Sequence, residues 1–272
     1  MTKTIKAACV QMTSKPDIEA NLKQAEGFIR QAASEGAQFI STPENTDMLG
    51  TSLRETIERA KVEDEHAGIP FFSDLARELG ITLVIGSMKV KLERKIANRC
   101  FVFGPDGKEL ARYDKMHMFD VDLPNGERYR ESSEYEAGDK AVLVETDFAK
   151  IGISICYDLR FPHLYRDLAK KGAEILTVPS AFTVPTGEAH WHVLQRARAI
   201  ETGCFVVSAA QVGEHGAGRK TYGHSIIVSP WGEVLAEAGT EPGIIMADLD
   251  LAAVKNARQS IPSLQHDREY AF

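Results

Sequence analysis

Little in this chain offers a covalent staple or a charge bias that would fix its fold or its partners. Only four cysteines occur in 272 residues, at Cys9, Cys100, Cys156 and Cys204. They are far apart, with no CxxC pair and no Cys/His metal spacing, so neither a disulfide framework nor a zinc module is indicated. A basic excess is also missing. Against 39 Asp and Glu stand 32 Lys and Arg, a formal net charge of -7, whereas a nucleic-acid binder displays a basic patch. No apolar run approaches the roughly 18 residues of a membrane span. The longest apolar stretches, such as 81–86 and 204–210, have the length of core strands. The opening MTKTIKAACVQM enters a strand-like alternation almost at once. It lacks the long apolar region and small-residue cleavage site of a secretory signal. The expectation is a cytoplasmic protein with neither membrane nor nucleic acid as partner. No Pro/Gly/Ser-rich linker divides the chain, so residues 1–272 are expected to form one domain, and 43% apolar residues suffice to bury a sizeable core.

What is present is an alternation of strand-like and helix-like runs. Apolar β-rich segments fall near 4–11, 37–41, 81–88, 98–103, 141–145, 150–155, 174–178, 204–210, 223–229 and 244–249; helical periodicity falls near 18–35, 70–79, 162–171, 188–202 and 250–258. This predicts a layered α/β or α+β fold. The halves also resemble each other. EGAQFISTPEN (35–45) parallels KGAEILTVPSA (171–181), and FGPDGKELARY (103–113) parallels VSPWGEVLAEA (228–238), at similar offsets and in the same order. Two such matches imply an internal duplication. Two similar sheet-plus-helix halves pack naturally sheet to sheet, which predicts a four-layer αββα sandwich. The polar stretch 116–140 reads as a long irregular loop, and such loops are more often functional than idle.

Three places could carry chemistry. Cys156 closes the strand-like run IGISIC and is followed by YDLRFP, where Pro162 can open a helix. It therefore sits at a strand-to-helix handover, where backbone N–H groups can meet an oxyanion and a helix N-terminus favours a thiolate. The other three cysteines read as small hydrophobes in buried strands. Glu44, in STPEN, falls at the C-terminal end of a strand, where α/β folds bind ligands, and a carboxylate there can take a proton from a thiol. Lys115, in YDKMHMFD, follows a strand and precedes the long loop, and can supply a fixed positive charge. Arg160, four residues after Cys156, reads either as a fork for a substrate carboxylate, or as a buried ion pair with Asp158 or a helix-face charge. Thr183 and Thr186 follow the strand end at Val178-Pro179 and are expected to line the pocket. His190 and His192 stand at i and i+2 on a helix, point apart, and read as packing residues; His224 reads as structural. The run RKIANR (94–99) reads as a solvated turn.

Taken together, AACVQM, TPEN around Glu44, YDKMHMFD around Lys115, GISICYDLRFP around Cys156, and SAF, AHWHVLQRARAIE and YGHSIIVSPWG downstream resemble the nitrilase, or carbon–nitrogen hydrolase, superfamily over essentially the whole chain. The stretches CYDLRFP and SAFTVPTGEAHW are similar to its amidase branch, the deaminated-glutathione amidases and ω-amidases. Nitrilases proper usually carry Trp-Glu after the cysteine, where this chain has Tyr157-Asp158. The resemblance implies Cys156 as nucleophile, Glu44 as general base, Lys115 as oxyanion-stabilising cation with the Tyr157 backbone N–H, and Glu131 as the second glutamate that orients Lys115 or a substrate amine. It implies hydrolysis of a small carboxylate-bearing amide, deaminated glutathione or a related α-keto ω-amide, by a thioester route with water as co-substrate and no metal or organic cofactor. It further implies a homodimer or higher homo-oligomer, with the C-terminal IPSLQHDREYAF as a candidate interface segment. Carbamoyl-amine or nitrile hydrolysis on the same residues, a silent binding protein of the same fold, and a cysteine redox sensor are the alternatives.

Overall fold

The structure is a computed structural model that describes residues 4–123 and 126–271. Two mixed sheets form its centre. The first runs Gly243–Asp250, Thr4–Gln11, Phe39–Ser41, Thr82–Lys91, Ile96–Phe103, Glu109–Asp114, with Tyr135–Glu136 paired alongside Ile96–Phe103. The second runs Val234–Glu237, Ile226–Val228, Phe205–Ser208, Ile175–Thr177, Lys150–Ile153, Val142–Glu145. In each sheet three successive strands are parallel and two more return antiparallel, with one further antiparallel strand against the first. This is the duplication seen in the sequence.

Strand alternation explains the layers. In Thr4–Gln11, Ile5, Ala7 and Cys9 point to one core with Val84, Cys100 and Val102, facing Ile151, Ile153 and Ile175 of the second sheet. Ala8 and Val10 point to the other face, where Leu22, Ala25 and Ile29 of the helix Ile18–Ser34 and Phe72 and Leu75 of the helix Gly68–Leu79 cover them. A period of two along a strand produces both faces. The helix Ile18–Ser34 buries Leu22, Ala25, Ile29 and Ala32, one stripe at helical spacing, and starts where the Asp17 side chain accepts from Ala20 N–H at 3.1 Å. On the far side, Leu164, Tyr165 and Leu168 of Pro162–Lys170 and Trp191 and Ala199 of Val184–Thr202 cover the second sheet. The result is a four-layer αββα sandwich.

Some expectations shift. The helix expected at 188–202 begins at Val184, because Pro185 fits its first turn. A helix at Leu53–Arg59, capped by Ser52, was not anticipated. The segment 94–99 is only half a turn: the strand opens at Ile96, and Asn98 is buried. The basic composition misleads there because Arg94 and Lys95 form the bend while the next residues enter the sheet. The stretch 116–140 contains the short hairpin Asp120–Asp122 with Arg128–Arg130 and a 3-10 turn at Glu131–Ser133. Near the C-terminus Asp267 pairs with Arg166 and Lys170 of the same chain, and Phe272 lies outside the described residues.

Candidate active site

Glu44, Lys115, Cys156 and Glu131 surround one cavity of about 800 Å³ at the ends of the central strands. Each arrives by a different local device. Glu44 follows the strand Phe39–Ser41, and its loop is braced from within: Thr46 Oγ1 donates to Pro43 O at 2.7 Å, and Asn45 adopts a left-handed φ of 63°. Gly86 backs the loop so closely that a Cβ there would lie 2.2 Å from Thr42 O and 2.5 Å from Pro179 Cβ. Only glycine permits that approach. Lys115 comes one residue after the strand Glu109–Asp114, and its N–H continues the ladder onto Asn98 O at 3.0 Å. Cys156 opens a 3-10 turn, Cys156–Arg160, between the strand Lys150–Ile153 and the helix Pro162–Lys170. Its φ of 49° is left-handed, a conformation that costs a non-glycine residue roughly 1–3 kcal/mol and persists only where the surroundings enforce it. Cys156 N–H donates to Pro179 O at 2.9 Å and Ile155 N–H to Asp158 Oδ2 at 2.8 Å, which fixes the turn on both sides.

The buried Lys115 ammonium joins the two carboxylates. It donates to Glu44 Oε1 at 2.9 Å and to both Glu131 oxygens at 3.0 and 2.9 Å. Glu131 also accepts Phe119 N–H at 2.7 Å. Burial pulls the Lys115 ammonium down, but Glu131, Glu44 and Cys156 outweigh it and raise the group well above the ordinary lysine value. For Glu44, burial pushes upward, and the Lys115 and Lys89 charges together with hydrogen bonds from Lys115 and Cys156 bring the carboxyl down to about 2. Burial and the Glu44 carboxylate push the Cys156 thiol well above its ordinary value, against the pull of Lys115 and the Ala181 N–H. Burial and the Glu44 carboxylate thus favour the thiol form of Cys156. The thiolate expected from the helix N-terminus is not what these surroundings favour.

The remaining expected residues divide. Tyr157, Arg160, Thr183 and Thr186 all line the cavity. The Tyr157 ring packs edge-on against Phe119 at 5.1 Å. Thr183 and Thr186 share a hydroxyl hydrogen bond of 2.8 Å. Arg160 does not pair with Asp158. The Asp158 oxygens accept Tyr113 OH at 2.6 Å, Ile155 N–H, and His117 N and Nδ1 at 3.1 and 2.7 Å. The Arg160 guanidinium lies 5.8 Å from the Tyr157 ring and 5.6 Å from Phe182, with His190 Nδ1 at 3.3 Å. His192 is not a core packing residue either: its Nε2 and His224 Nδ1 meet the same Glu237 oxygen at 2.8 and 2.9 Å, outside this cavity.

Two residues that brace the Glu44 carboxylate and its loop had no signal in the sequence. Asn98 Nδ2 donates to Glu44 Oε1 at 2.9 Å and Glu131 Oε1 at 3.3 Å, tying the carboxylates together. Gln211 Nε2 donates to the Glu44 and Asn45 carbonyls at 3.0 and 3.2 Å and to Ser14 Oγ at 2.7 Å. Both act across long sequence separations, and neither lies in a motif.

A duplicated αββα sandwich thus gathers a cysteine, two carboxylates and a lysine in one cavity. The sequence profile described as carbon-nitrogen hydrolase matches residues 6–259, and the chain belongs to that family. It is 43% identical over 265 residues to the deaminated glutathione amidase of Synechocystis sp., covering 96% of this chain and 97% of that one. It is 37% identical over 267 residues to the omega-amidase NIT2 of Homo sapiens, covering 97% and 95%. Among solved structures it resembles the C. elegans NitFhit protein with a TM-score of 0.92 at 37% identity, covering 98% of this chain and 66% of that one. It also resembles a variant of the amidase from Nesterenkonia sp. AN1, with a TM-score of 0.82 at 26% identity over 97% of this chain and 94% of that one. In that variant the acetamide moiety of fluoroacetamide is attached covalently to the active-site cysteine. Among the described residues no helix is long and apolar enough to cross a membrane.

Proposed function

We propose that this chain hydrolyses the C–N bond of a small carboxylate-bearing amide, deaminated glutathione or a related α-keto ω-amide, through a thioester on Cys156. The observation that carries the reading is the buried Lys115 ammonium held by Glu44 and by Glu131, each at 2.9 Å, in the same cavity as Cys156. Attack on the amide carbonyl passes the thiol proton to Glu44 as the C–S bond forms. The negative charge then resides on the carbonyl oxygen, beside Lys115 and the Tyr157 backbone N–H. Collapse of this intermediate breaks the C–N bond, and Glu44 returns its proton to the departing amine. Water, deprotonated by Glu44, attacks the thioester; the acid leaves and the thiol is restored. Proton and charge balance within Glu44, Cys156 and substrate, with Lys115 charged throughout. The names of the relatives and the adduct on the Nesterenkonia cysteine support an amide substrate and a cysteine nucleophile.

Arg160 is the proposed reader of the substrate carboxylate. It faces the cavity, its guanidinium makes no ion pair among the described residues, and a guanidinium fork suits a carboxylate. Among the described residues the cavity lining holds no second cysteine to resolve an oxidised Cys156, which disfavours the redox-sensor alternative. A homo-oligomer in the cytoplasm remains part of the proposal. The exposed Val193 and Ile200, seven residues apart on one helix, and the exposed Trp231 supply an apolar face for pairing. The test is intact-mass spectrometry and product release with deaminated glutathione. Parent protein should release cysteinylglycine, folded Cys156→Ala should release none, and substantial hydrolysis by that variant rejects the mechanism.

A further inference from the structure

The cavity contains a second buried lysine, which the hydrolytic cycle uses for no contact with substrate although its charge helps lower the Glu44 carboxyl. Lys89 is only 4% exposed and reaches the cavity wall from the strand Thr82–Lys91. Its backbone N–H donates to Asp47 Oδ2 at 2.9 Å. Its ammonium donates to the Asn45 side-chain carbonyl and lies 4.8 Å from the centre of the Tyr135 ring. Among the described residues no ion pair engages this ammonium. Of the neighbouring carboxylates, Asp47 Oδ2 also meets His66 Nε2 at 3.1 Å while its Oδ1 is buried without a hydrogen-bond partner, and Glu44 Oε1 serves Lys115 and Asn98. Holding a cation out of water costs several kcal/mol unless an anion compensates. A carbonyl and an aromatic ring compensate only in part. An ammonium also has three donors, and these two partners leave one to be satisfied from the cavity.

We infer that Lys89 is a specificity residue that receives an anionic group of the substrate, so that the preferred amide carries two anionic groups, one for Arg160 and one for Lys89. This inference rests on the amide-hydrolase reading above. Both cations line the same cavity as Cys156. The volume of about 800 Å³ lies in the upper part of the roughly 300–1,000 Å³ range of ligand pockets. There is room for a substrate that extends on both sides of the scissile bond. A carboxylate on the acyl part and another on the amine part fit this description. An ω-amide that releases only ammonia offers one.

The test compares two probes on the full chain: deaminated glutathione, with a carboxylate on each side of the scissile amide, and 2-oxoglutaramate, with one. The readout is the ratio of their kcat/KM values in parent, Lys89→Met and Lys89→Arg. Lys89→Met should lower the ratio about 10- to 150-fold, the worth of one charge-assisted hydrogen bond, chiefly through KM for the two-carboxylate probe. Lys89→Arg should recover part of it. An unchanged ratio overturns the inference, including the case in which both probes lose equally and the acid limb of the pH profile moves, since Lys89 then acts on Glu44 alone. If the parent turns over neither probe, the amide reading fails separately. Calorimetric binding of deaminated glutathione to Cys156→Ala still reads Lys89 in that case, and a Kd indifferent to Lys89→Met overturns the inference.

Discussion

Asp158 gives the sharpest stability prediction, because four hydrogen bonds converge on a carboxylate that is fully buried two residues from the proposed nucleophile. In Asp158→Ala, Tyr113 OH and Ile155 N–H lose their acceptor in a place water does not reach. Each such orphan costs about 1–3 kcal/mol. The His117 side chain keeps 21% of its surface accessible and can turn to solvent, so it adds little. The loss from these two is therefore about 2–6 kcal/mol, to which the orphaned His117 N–H adds, out of the roughly 5–15 kcal/mol that hold a domain together. The effect on activity has a separate cause. Ile155 N–H is one of the two anchors that hold Cys156 at its left-handed φ of 49°, and a displacement of about 1 Å at a reacting atom can cost roughly 100-fold in rate. Urea unfolding measures the first effect and kcat at saturating amide the second. Asp158→Asn keeps one acceptor oxygen and should fall between parent and Asp158→Ala on both. If Asp158→Ala unfolds within about 1 kcal/mol of the parent, or retains parental kcat, the carboxylate does not organise this turn.

Glu44→Gln removes the proposed base and should abolish both formation and hydrolysis of the thioester, seen as no acyl mass on Cys156 and no product; a fully active variant contradicts the proton path. Arg160→Ala should lose about 2 kcal/mol, roughly 30-fold in kcat/KM, on a carboxylate-bearing amide, at the low end of charged-pair losses because the guanidinium is only half-buried; equal losses on a neutral amide show a structural role instead. The Glu44 carboxyl is held near 2, below its ordinary 4.5, so the stability it contributes is present above about 4.5 and lost as pH falls toward about 2; urea midpoints across that window should fall less steeply in Glu44→Gln than in the parent. Light scattering on the purified chain should give at least twice the 30.0 kDa chain mass, and Trp231→Ser should shift the population toward single chains if the Val193–Ile200 face is the interface.

Much of the layout was readable because it is written locally. Strand alternation, the repeated helix–Gly–strand–Pro segments and the Pro-x-Gly hairpins each depend on a few neighbouring residues, and the two-sheet architecture follows from them. Cys156 stood out because a strand run meets a proline six residues on, and Glu44 because Pro43 interrupts its strand. What depended on distant partners was hidden. Asn98 looked like part of a basic turn, yet sheet register turns it inward to Glu44, 54 residues away in sequence. Gln211 braces the Glu44 loop across 167 residues. The hairpin Val212–Gly216 with Arg219–Tyr222 brings Arg219, Lys220 and Thr221 to the cavity, but its Gly-rich polar sequence carries no alternation to announce it. The ion pair of Arg160 with Asp158 was a plausible local reading. It fails because Tyr113 and His117, from the other sheet's side, occupy the carboxylate first.

The pair of glutamates on Lys115 has a physical logic that a single base would lack. In the resting site Glu44 and Glu131 share one ammonium, at 2.9 Å from the nearest oxygen of each. In the proposed mechanism, when the thiol proton moves to Glu44 that carboxylate becomes neutral and its hold on the ammonium weakens. At the same moment the charge it carried resides on the substrate oxygen. If Glu44 were the only anchor, Lys115 would be free to move at the stage when its position matters most. Glu131 is bidentate to the ammonium and fixed in turn by Phe119 N–H at 2.7 Å. On the proposed route it would hold Lys115 in place while the charge transfers from Glu44 to the oxyanion. Electrostatic stabilisation is largest when the stabilising group need not reorganise as the charge develops. Glu131→Gln should therefore retain slow thioester formation, because the base is intact, while kcat falls, and a variant with parental kcat would show that Glu44 and Asn98 suffice to position the lysine.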